Sequence, residues 1–325
     1  MAKTLITCGD PNGIGPEIIL KSLKNYTENM LVVGDVRHFE KTAAEINIKT
    51  SFEVVNDPDD ARTMQDSVSI WHHPFTRERE PGVFNPDHAR HIIAVLDSAI
   101  SHCLHHKGTA LVTAPINKAV LKEGAAFAFS GHTELLADRS GIPKPVMMIA
   151  GPQLKTVPAT IHIPLSEVPS ALSSADLAET IRVTASGLRE LFDISNPRIV
   201  VAGLNPHAGE DGKIGTEEID WIAKTIDRTF KSGINVTGPW PADTLFHAAR
   251  RKTYDAAICM YHDQALIPVK ALDFDEGVNV TLGLPFIRTS PDHGTAFDIA
   301  GKGLANAASF TSALKLASVL ATKNG

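Results

Sequence analysis

The chain has 325 residues, of which 43% are hydrophobic and 21% are charged, and its formal net charge is -6. That length can bury one large core or two medium ones, and the acidic balance argues against nucleic-acid binding. No apolar run is long enough to span a membrane, and the N-terminus enters a strand without room for a signal peptide. The three cysteines show no CxxC spacing, so we expect reduced thiols and a cytoplasmic protein.

Strands and helices are predicted to alternate along the chain. A strand at 4–8 runs into the glycine-rich loop 9–17 and then into a helix. This layout is typical of a phosphate cradle or of a tight structural turn, and neither GxGxxG nor GxxxxGK(S/T) is present. Further strands are predicted at 30–34, 52–55, 68–71, 109–112, 146–149, 156–163, 198–202 and 256–260, and helices at 86–106, from 132, and at 175–192, 216–230 and 307–321. The alternation predicts an α/β protein with largely parallel sheets.

The helix predicted at 86–106 is unusually rich in histidine. Asn85 is its expected N-cap, and Pro86 suits its first turn. The histidines are His88, His91, His102, His105 and His106. They fall mainly on the polar face of the helix and lack a convergent carboxylate. We therefore interpret them as a solvated face and not as a metal site.

The segment Gly131-His132-Thr133 opens another predicted helix. A histidine and a threonine at a helix start can present an imidazole, a hydroxyl and free N–H groups to an anion. Thr133 as a plain N-cap is the alternative.

Three histidines, His162, His207 and His262, each follow a predicted strand. In parallel α/β folds the strand ends hold ligands, and three protein ligands with an open position form a catalytic metal site. Hydrogen-bonded structural histidines are the alternative, because the spacings between the three are long. Asp243 and Asp263 are acids that could orient or deprotonate a neighbouring group, and Asp243 could equally be an N-cap.

Between positions 259 and 301, polar groups stand among glycines. They are Lys270, Asn279, Arg288, Asp292 and His293, with Gly277, Gly283 and Gly294 between them. Cations and amide donors beside flexible backbone suit an anionic ligand, whereas the alternative is a set of solvated loops.

Taken together, these stretches resemble the 4-hydroxythreonine-4-phosphate dehydrogenase family. The matching pieces extend over nearly the whole chain in the family's order. They are GDPNGIGPE, TAPINK, SGHTE, the strand before His162, GLNPHAGEDGKIGTEE, GPWPADTLF, MYHDQ, GVNVTLGLPFIRTSPDHGTA and FDIAG. One departure is Ser130, which stands where proline is expected.

The resemblance implies an isocitrate/isopropylmalate-dehydrogenase-like fold of two α/β/α domains with a cleft between them. We place the first domain at 1–128 and 290–325 and the second at 129–289. Segments 13–17 and 293–301 are similar to two motifs of that wider group, and the second of these lies at its nucleotide site. The resemblance therefore implies His293, Gly294 and Thr295 as cofactor contacts.

The resemblance also implies a set of site residues. The metal ligands are His162, His207 and His262, for one zinc, magnesium or cobalt ion. The substrate contacts are His132, Thr133, Lys270, Asn279 and Arg288. Asp243 is a candidate base, and a water relay is the alternative. The family is a homodimer with its active site at the subunit interface, so one ligand could come from the partner chain.

The implied reaction uses NAD or NADP to oxidise 4-(phosphooxy)-L-threonine to 2-amino-3-oxo-4-(phosphooxy)butanoate. That β-keto acid decarboxylates to 3-amino-2-oxopropyl phosphate, in pyridoxine 5'-phosphate biosynthesis. The alternative within the family is a dehydrogenase of D-threonate or D-erythronate 4-phosphate. A metal-dependent phosphate-ester hydrolase and a non-catalytic phosphometabolite-binding protein are alternatives from other classes.

Overall fold

The computed structural model describes residues 3–24, 29–61 and 67–324. Its contacts divide the chain into two compact units, unit 1 (Met1–Pro143 with Leu284–Gly325) and unit 2 (Lys144–Gly283). The strands are β1 (Thr4–Thr7), β2 (Met30–Gly34), β3 (Ser51–Val55), β4 (Ser67–His72), β5 (Ala110–Thr113), β6 (Val146–Ala150), β7 (Lys155–Pro158), β8 (Ile199–Ala202), β9 (Val236–Trp240), β10 (Ala256–Cys259), β11 (Val278–Leu282) and β12 (Ile287–Ser290). The α-helices are α1 (Gly15–Leu23), α2 (Val36–Glu45), α3 (Ala89–His105), α4 (Lys118–Ala125), α5 (His132–Ser140), α6 (Val168–Ala171), α7 (Ser174–Glu190), α8 (Ala223–Lys231), α9 (Ala242–Leu245), α10 (Ala248–Arg251), α11 (His262–Leu272) and α12 (Ala308–Asn324).

Unit 1 is built on a parallel sheet in the order β3-β4-β2-β1-β5-β12. In its centre, Leu5 of β1 is in register with Leu31 of β2 and Leu111 of β5. All four residues of β1 and of β5 are buried, as expected for parallel strands covered by helices. Helices α3 and α12 both pack on these two strands.

Unit 2 has the strand order β11-β6-β7-β10-β8-β9. Strands β7, β10, β8 and β9 are parallel to one another, whereas β6 runs antiparallel to both β7 and β11. Its core includes Ile149, Val200, Ala257 and Leu266, and the buried Tyr254 donates a 3.1 Å hydrogen bond to the carbonyl of Leu245.

The α/β class predicted from the sequence is confirmed, and every predicted strand overlaps a strand of the structure. The strand predicted at 156–163 is wrong in its second half, because β7 ends at Pro158. Beyond it the chain turns, and the N–H of Ile163 donates to the carbonyl of Ile161. Strands β9, β11 and β12 were not predicted. The apolar pattern of β11 and β12 is interrupted by Asn279 and Arg288, which lie on strands and not in loops.

The chain passes from unit 1 to unit 2 between residues 143 and 144 and returns to unit 1 between residues 283 and 284. The predicted domain boundaries lie at 128/129 and 289/290. Helix α5 packs on α3, which places the segment with His132 and Thr133 in unit 1. The sequence offered no linker at either boundary, because the chain crosses within short connections between strands and helices.

The histidine-rich helix starts as the 3-10 turn Pro86–His88 and continues as α3 from Ala89, and the side chain of Asn85, the predicted N-cap, accepts a 3.0 Å hydrogen bond from the N–H of Asp87. The interpretation of its histidines as one solvated face is wrong. His88 and His102 are buried, with 0% and 8% of their surface exposed. A carboxylate also converges on this helix, because Asp59 Oδ2 lies 3.6 Å from His106 Nε2.

All three cysteines are free and buried, as the prediction of reduced thiols requires. Burial raises the pKa of the Cys8 thiol to about 12, so it stays protonated at neutral pH. Among the helices of the described residues, none is long and apolar enough to cross a bilayer.

The glycine-rich loop between β1 and α1 holds a buried acid. One oxygen of Asp10 accepts a 3.0 Å hydrogen bond from the N–H of Asn12. The other oxygen is buried and has no partner among the described residues. Burial raises the pKa of Asp10 to about 6. The loop is also tight, since a Cβ on Gly15 would lie 2.5 Å from the carbonyl oxygen of Cys8.

Asp10 predicts a pH dependence of stability. Its pKa is raised in the folded protein, so its contribution is present below about pH 4 and lost as pH rises through about 6. The variant Asp10→Asn does not ionise. Relative to the wild type, we expect its unfolding free energy to increase between pH 4.5 and 6.5 by about 2 kcal/mol and then to level off. Denaturant melts across this range measure the difference.

Asp35 supplies a control of opposite sign. Burial alone would raise its pKa, but hydrogen bonds from the Arg37 side chain and from the N–H groups of Phe75 and Arg37 lower it to about 2. Its contribution is therefore present above about pH 4 and lost as pH falls through 2. Asp35→Asn should destabilise the protein throughout the range in which Asp10→Asn stabilises it. If the unfolding free energies of both variants, relative to the wild type, changed with pH in the same way, the pKa directions assigned to Asp10 and Asp35 would be contradicted.

Candidate functional site

Two of the three strand-end histidines lie beside each other in unit 2. Strands β7, β10 and β8 are adjacent and parallel, so their carboxyl ends share one edge of the sheet. His162 follows β7, and His262 is the first residue of α11 directly after β10. Their ring centroids are 6.0 Å apart. The sequence prediction that strand ends bring these two side chains together is consistent with this placement.

The two histidines line an open pocket of about 300 Å³ whose other walls include Leu165, Val168 and Tyr261. His262 Nδ1 is 2.7 Å from Asp263 Oδ1. A carboxylate in that position holds the ring proton on Nδ1 and leaves Nε2 as an electron-pair donor. Asp263, which the sequence marked as an orienting acid, therefore has a partner of the expected kind.

His207 follows β8 in a backbone segment of unusual conformation. His207, Ala208, Glu210 and Asp211 have φ values of 53°, 52°, 43° and 54°. A left-handed conformation costs a non-glycine residue about 1–2 kcal/mol, so this turn is held by its surroundings. Strain of this kind is typical of functional turns.

The support for this turn is a buried carboxylate. Glu218, 3% exposed, accepts hydrogen bonds from the backbone N–H of Asn205 at 2.8 Å and from its side-chain amide at 2.9 Å. The same amide donates to Glu217 at 2.7 Å. In the described residues the donor atoms of His162, His207 and His262 do not form a group within 4.8 Å of one another. Convergence of all three histidines therefore stays a prediction.

Gln264 was not among the predicted site residues, although it belongs to the MYHDQ stretch. Its side-chain oxygen accepts a 2.7 Å hydrogen bond from the N–H of Met260, and its amide donates a 2.8 Å bond to the carbonyl of Gly203. It thus ties the end of β8 to the start of α11. The first segment leads to His207 and the second carries His262, so Gln264 is a positioning residue for both histidines.

The remaining predicted residues of unit 2 are dispersed over several elements. Asp243 is exposed in the first turn of α9, whose N-cap is Pro241, so its alternative role as an N-cap is excluded. Helix α9 packs against the turn that carries His207. Lys270 lies in the last turn of α11, with Nζ 5.9 Å from the ring centroid of Phe274. Asn279 lies on β11, and its Oδ1 is buried with no partner among the described residues.

A group of cationic and neutral donors forms in unit 1. Arg288 of β12 is 2% exposed, and its Nη2 donates a 2.7 Å hydrogen bond to Thr113 Oγ1. Burial lowers the pKa of Arg288 to about 10, and the nearby Glu134 opposes that effect. A guanidinium buried in this way can be compensated by an anionic ligand.

His132 belongs to the same group. Burial lowers its pKa well below the ordinary value, and the charges of Arg288 and Lys118 lower it further. Its Nε2 is buried without a hydrogen-bond partner in the described part of the chain. Lys118, at the start of α4, was not predicted, although the TAPINK stretch after β5 marks it. The helix N-cap is Gly131, so the alternative that Thr133 is a plain N-cap is wrong.

Segments 13–17 and 293–301, which are similar to two motifs of the wider group, pack together in unit 1. The N–H of Ile14 donates a 2.9 Å hydrogen bond to the carbonyl of Thr295, and a Cβ on Gly13 would lie 2.9 Å from that oxygen. Gly294 has open space around it, and His293 Nε2 is buried without a partner among the described residues. An open glycine beside an unpartnered ring nitrogen fits a loop that contacts a polar cofactor.

The chain matches the model of the family described as pyridoxal phosphate biosynthetic protein PdxA over residues 26–317. A protein of Ruegeria sp. (strain TM1040) named 4-hydroxythreonine-4-phosphate dehydrogenase is 49% identical, over 97% of this chain and 96% of its own. One of the same name from Roseobacter denitrificans is 50% identical, over 99% and 98%. The crystal structure of 4-hydroxythreonine-4-phosphate dehydrogenase from Klebsiella pneumoniae has a TM-score of 0.92 at 36% identity, covering 99% of this chain and 100% of that one.

These relatives and this fold define an enzyme of the dehydrogenase class. The chain belongs to the PdxA family. The family resemblance drawn from the sequence motifs is therefore confirmed.

The unit 1 donors Arg288, His132 and Lys118 predict an anion site whose ligand binding can be measured. At 20 mM, inorganic phosphate should raise the melting temperature of the wild type by about 2–5 °C if its Kd is near 1 mM. We expect Arg288→Met to lose this shift, because the buried guanidinium is the central cation. Differential scanning fluorimetry against chloride at matched ionic strength measures it.

The matched control is Arg139→Met, since Arg139 is a half-exposed arginine of α5 paired with Asp97 at 2.9 Å. That variant should keep the full phosphate shift. An undiminished shift in a folded Arg288→Met protein would remove Arg288 from the anion site.

Proposed function

We propose that the protein oxidises 4-(phosphooxy)-L-threonine with NAD or NADP to 2-amino-3-oxo-4-(phosphooxy)butanoate, which decarboxylates to 3-amino-2-oxopropyl phosphate. The observation that carries the proposal is the identity of 49% and 50%, over nearly the whole chain, to relatives named for this activity. The candidate site supports it with an anion-binding group in unit 1 and a histidine pair at strand ends in unit 2. In this reading the protein is a cytoplasmic enzyme of pyridoxine 5'-phosphate biosynthesis.

The phosphate would be bound by the unit 1 donors. Arg288 is held in position by Thr113, so little side-chain entropy is lost when it binds an oxyanion. His132 is neutral at physiological pH and can donate or accept a hydrogen bond through its unpartnered Nε2. Lys118 and the hydroxyl of Thr133 would add a second charge and a further donor.

His162, His207 and His262 would hold one divalent ion, for which zinc, magnesium and cobalt are the candidates. Three imidazoles form a donor set that suits zinc or cobalt better than magnesium, which prefers oxygen. Such an ion, when bound, supplies Lewis-acid polarisation of an alcohol oxygen. Asp263 keeps the ring proton of His262 on Nδ1, and Gln264 holds the two segments in place.

A base must remove the hydroxyl proton while the carbinol carbon loses a hydride. Asp243 is the proposed base, because α9 packs on the turn that carries His207. Its exposure allows the proton to pass on to water, and a water relay is the alternative. His293, Gly294 and Thr295 would contact NAD, which would supply the hydride acceptor.

Lys270 and Asn279 would contact the rest of the substrate. Lys270 can pair with a carboxylate, and the buried Oδ1 of Asn279 can accept a hydrogen bond from an ammonium or a hydroxyl group. These contacts serve threonate or erythronate 4-phosphate nearly as well, so that substrate class remains the second candidate. We also propose a homodimer with its active site at the subunit interface, as the family resemblance implies, and light scattering after size exclusion would test the dimer.

The experiment follows nicotinamide absorbance with metal-reconstituted protein. We expect turnover with 4-(phosphooxy)-L-threonine to exceed turnover with either sugar-acid phosphate and to stop on chelation. His207→Ala should lower kcat/KM by about 1,000-fold, because Lewis-acid stabilisation is worth several kcal/mol. His247→Ala, at an exposed histidine of unit 2, is the matched control and should change kcat/KM by less than about twofold.

Each other outcome has a distinct meaning. Near-normal turnover in folded His207→Ala protein, with trace metal controlled, would contradict the metal role. Preference for a sugar-acid phosphate would replace the substrate but keep the hydride chemistry. Release of inorganic phosphate without nicotinamide reduction would indicate a hydrolase.

A further inference from the structure

A second cluster of metal-binding side chains lies in unit 1. Asp59 stands in the short 3-10 turn after β3, His102 in the last turn of α3, and His106 is the C-cap of that helix. One donor atom from each of the three lies within 4.8 Å of the other two. They are the only such group of histidine, cysteine and acidic side chains within residues 3–24, 29–61 and 67–324.

The two histidines are placed by the helix. Residues four apart lie on one face of an α-helix, which is the spacing used by helical zinc-binding histidine pairs. The rings of His102 and His106 stack with centroids 3.9 Å apart and planes 14° from parallel. Trp71 packs edge-on against His102, with centroids 6.2 Å apart, and fixes the buried side of the pair.

The hydrogen bonds of His106 define which nitrogen is available. Its Nδ1 is 2.9 Å from the backbone carbonyl of His102, so Nδ1 carries the proton and donates. Nε2 is then the electron-pair donor and faces Asp59 Oδ2 at 3.6 Å. That separation is too long for a hydrogen bond, but two ligands on one zinc ion stand about 3.3–3.5 Å apart.

The carboxylate is also held in place. The N–H of Asp59 donates a 2.8 Å hydrogen bond to the side chain of Asp57. Lys3 Nζ lies 3.6 Å from Oδ1 of Asp59, which leaves Oδ2 toward the histidines.

We propose that Asp59, His102 and His106 form a structural binding site for a divalent transition-metal ion, with zinc as the best match. Two imidazoles and a carboxylate make a borderline donor set, which zinc, cobalt or nickel prefers and magnesium or calcium does not. Asp59 and His106 side chains are 64% and 46% exposed, so an ion can enter and water can complete the coordination. The ion would cross-link the β3–β4 connection to the C-terminal end of α3.

The test counts bound zinc after chelation, zinc addition and extensive dialysis, by mass spectrometry of the metal. If the unit 2 histidines also bind an ion, wild type holds two per chain, His106→Gln one, His207→Ala one, and the double variant none. Asp59→Asn should behave as His106→Gln does. The matched control is His105→Gln, an exposed neighbour whose Nδ1 bonds Ser101, and it should retain the wild-type count.

A second readout is thermal stability. Zinc should raise the melting temperature of His207→Ala protein by several degrees, and His106→Gln in that background should abolish the shift. Magnesium should give no shift through this site. An unchanged zinc count in folded His106→Gln and Asp59→Asn proteins, or an equal loss in His105→Gln, would overturn the proposal. Because these readouts use no substrate, they stand apart from the dehydrogenase assay.

Discussion

Parallel pairing of β7, β10 and β8 is the constraint on which the candidate chemistry of unit 2 depends. Parallel strands end at one edge, so the segments that follow them are brought together whatever their distance along the chain. Gln264 then links two of these segments through main-chain groups. The side chains of His162 and His262 meet because of this pairing, and a change of register in β10 would separate them.

Several buried or strained groups of the protein are unfavourable for folding alone. Arg288 is a buried cation, the buried oxygens of Asp10 and Asn279 lack partners in the described residues, and the turn at His207 holds non-glycine residues in the left-handed region. Each costs on the order of 1–3 kcal/mol, and a ligand of the right charge offsets such a cost. The sheets and helices that carry these groups are well packed, and the stability from that packing offsets the free-energy cost.

The histidine-rich helix shows that side chains of one type within one segment can have different environments in the fold. Five histidines in one segment gave no reason to separate buried from solvated members. In the folded unit, His88 packs near His38 and Phe75, whereas His102 and His106 face a carboxylate that comes from the connection after β3. The position of Asp59 depends on strand order β3-β4-β2, which no local spacing encodes.

The sequence by itself determined the α/β class, most strands, the caps at Asn85 and the family, because these depend on local periodicity, turn chemistry and long shared motifs. It did not reveal β9, β11 and β12, since glycine, proline and polar residues interrupt their apolar patterns. Only the tertiary structure decided that Lys118 joins Arg288 and His132, that Gln264 ties two segments together, and that Asp59 meets His106. Such contacts join residues far apart in the chain, and strand order and helix packing alone bring them into range.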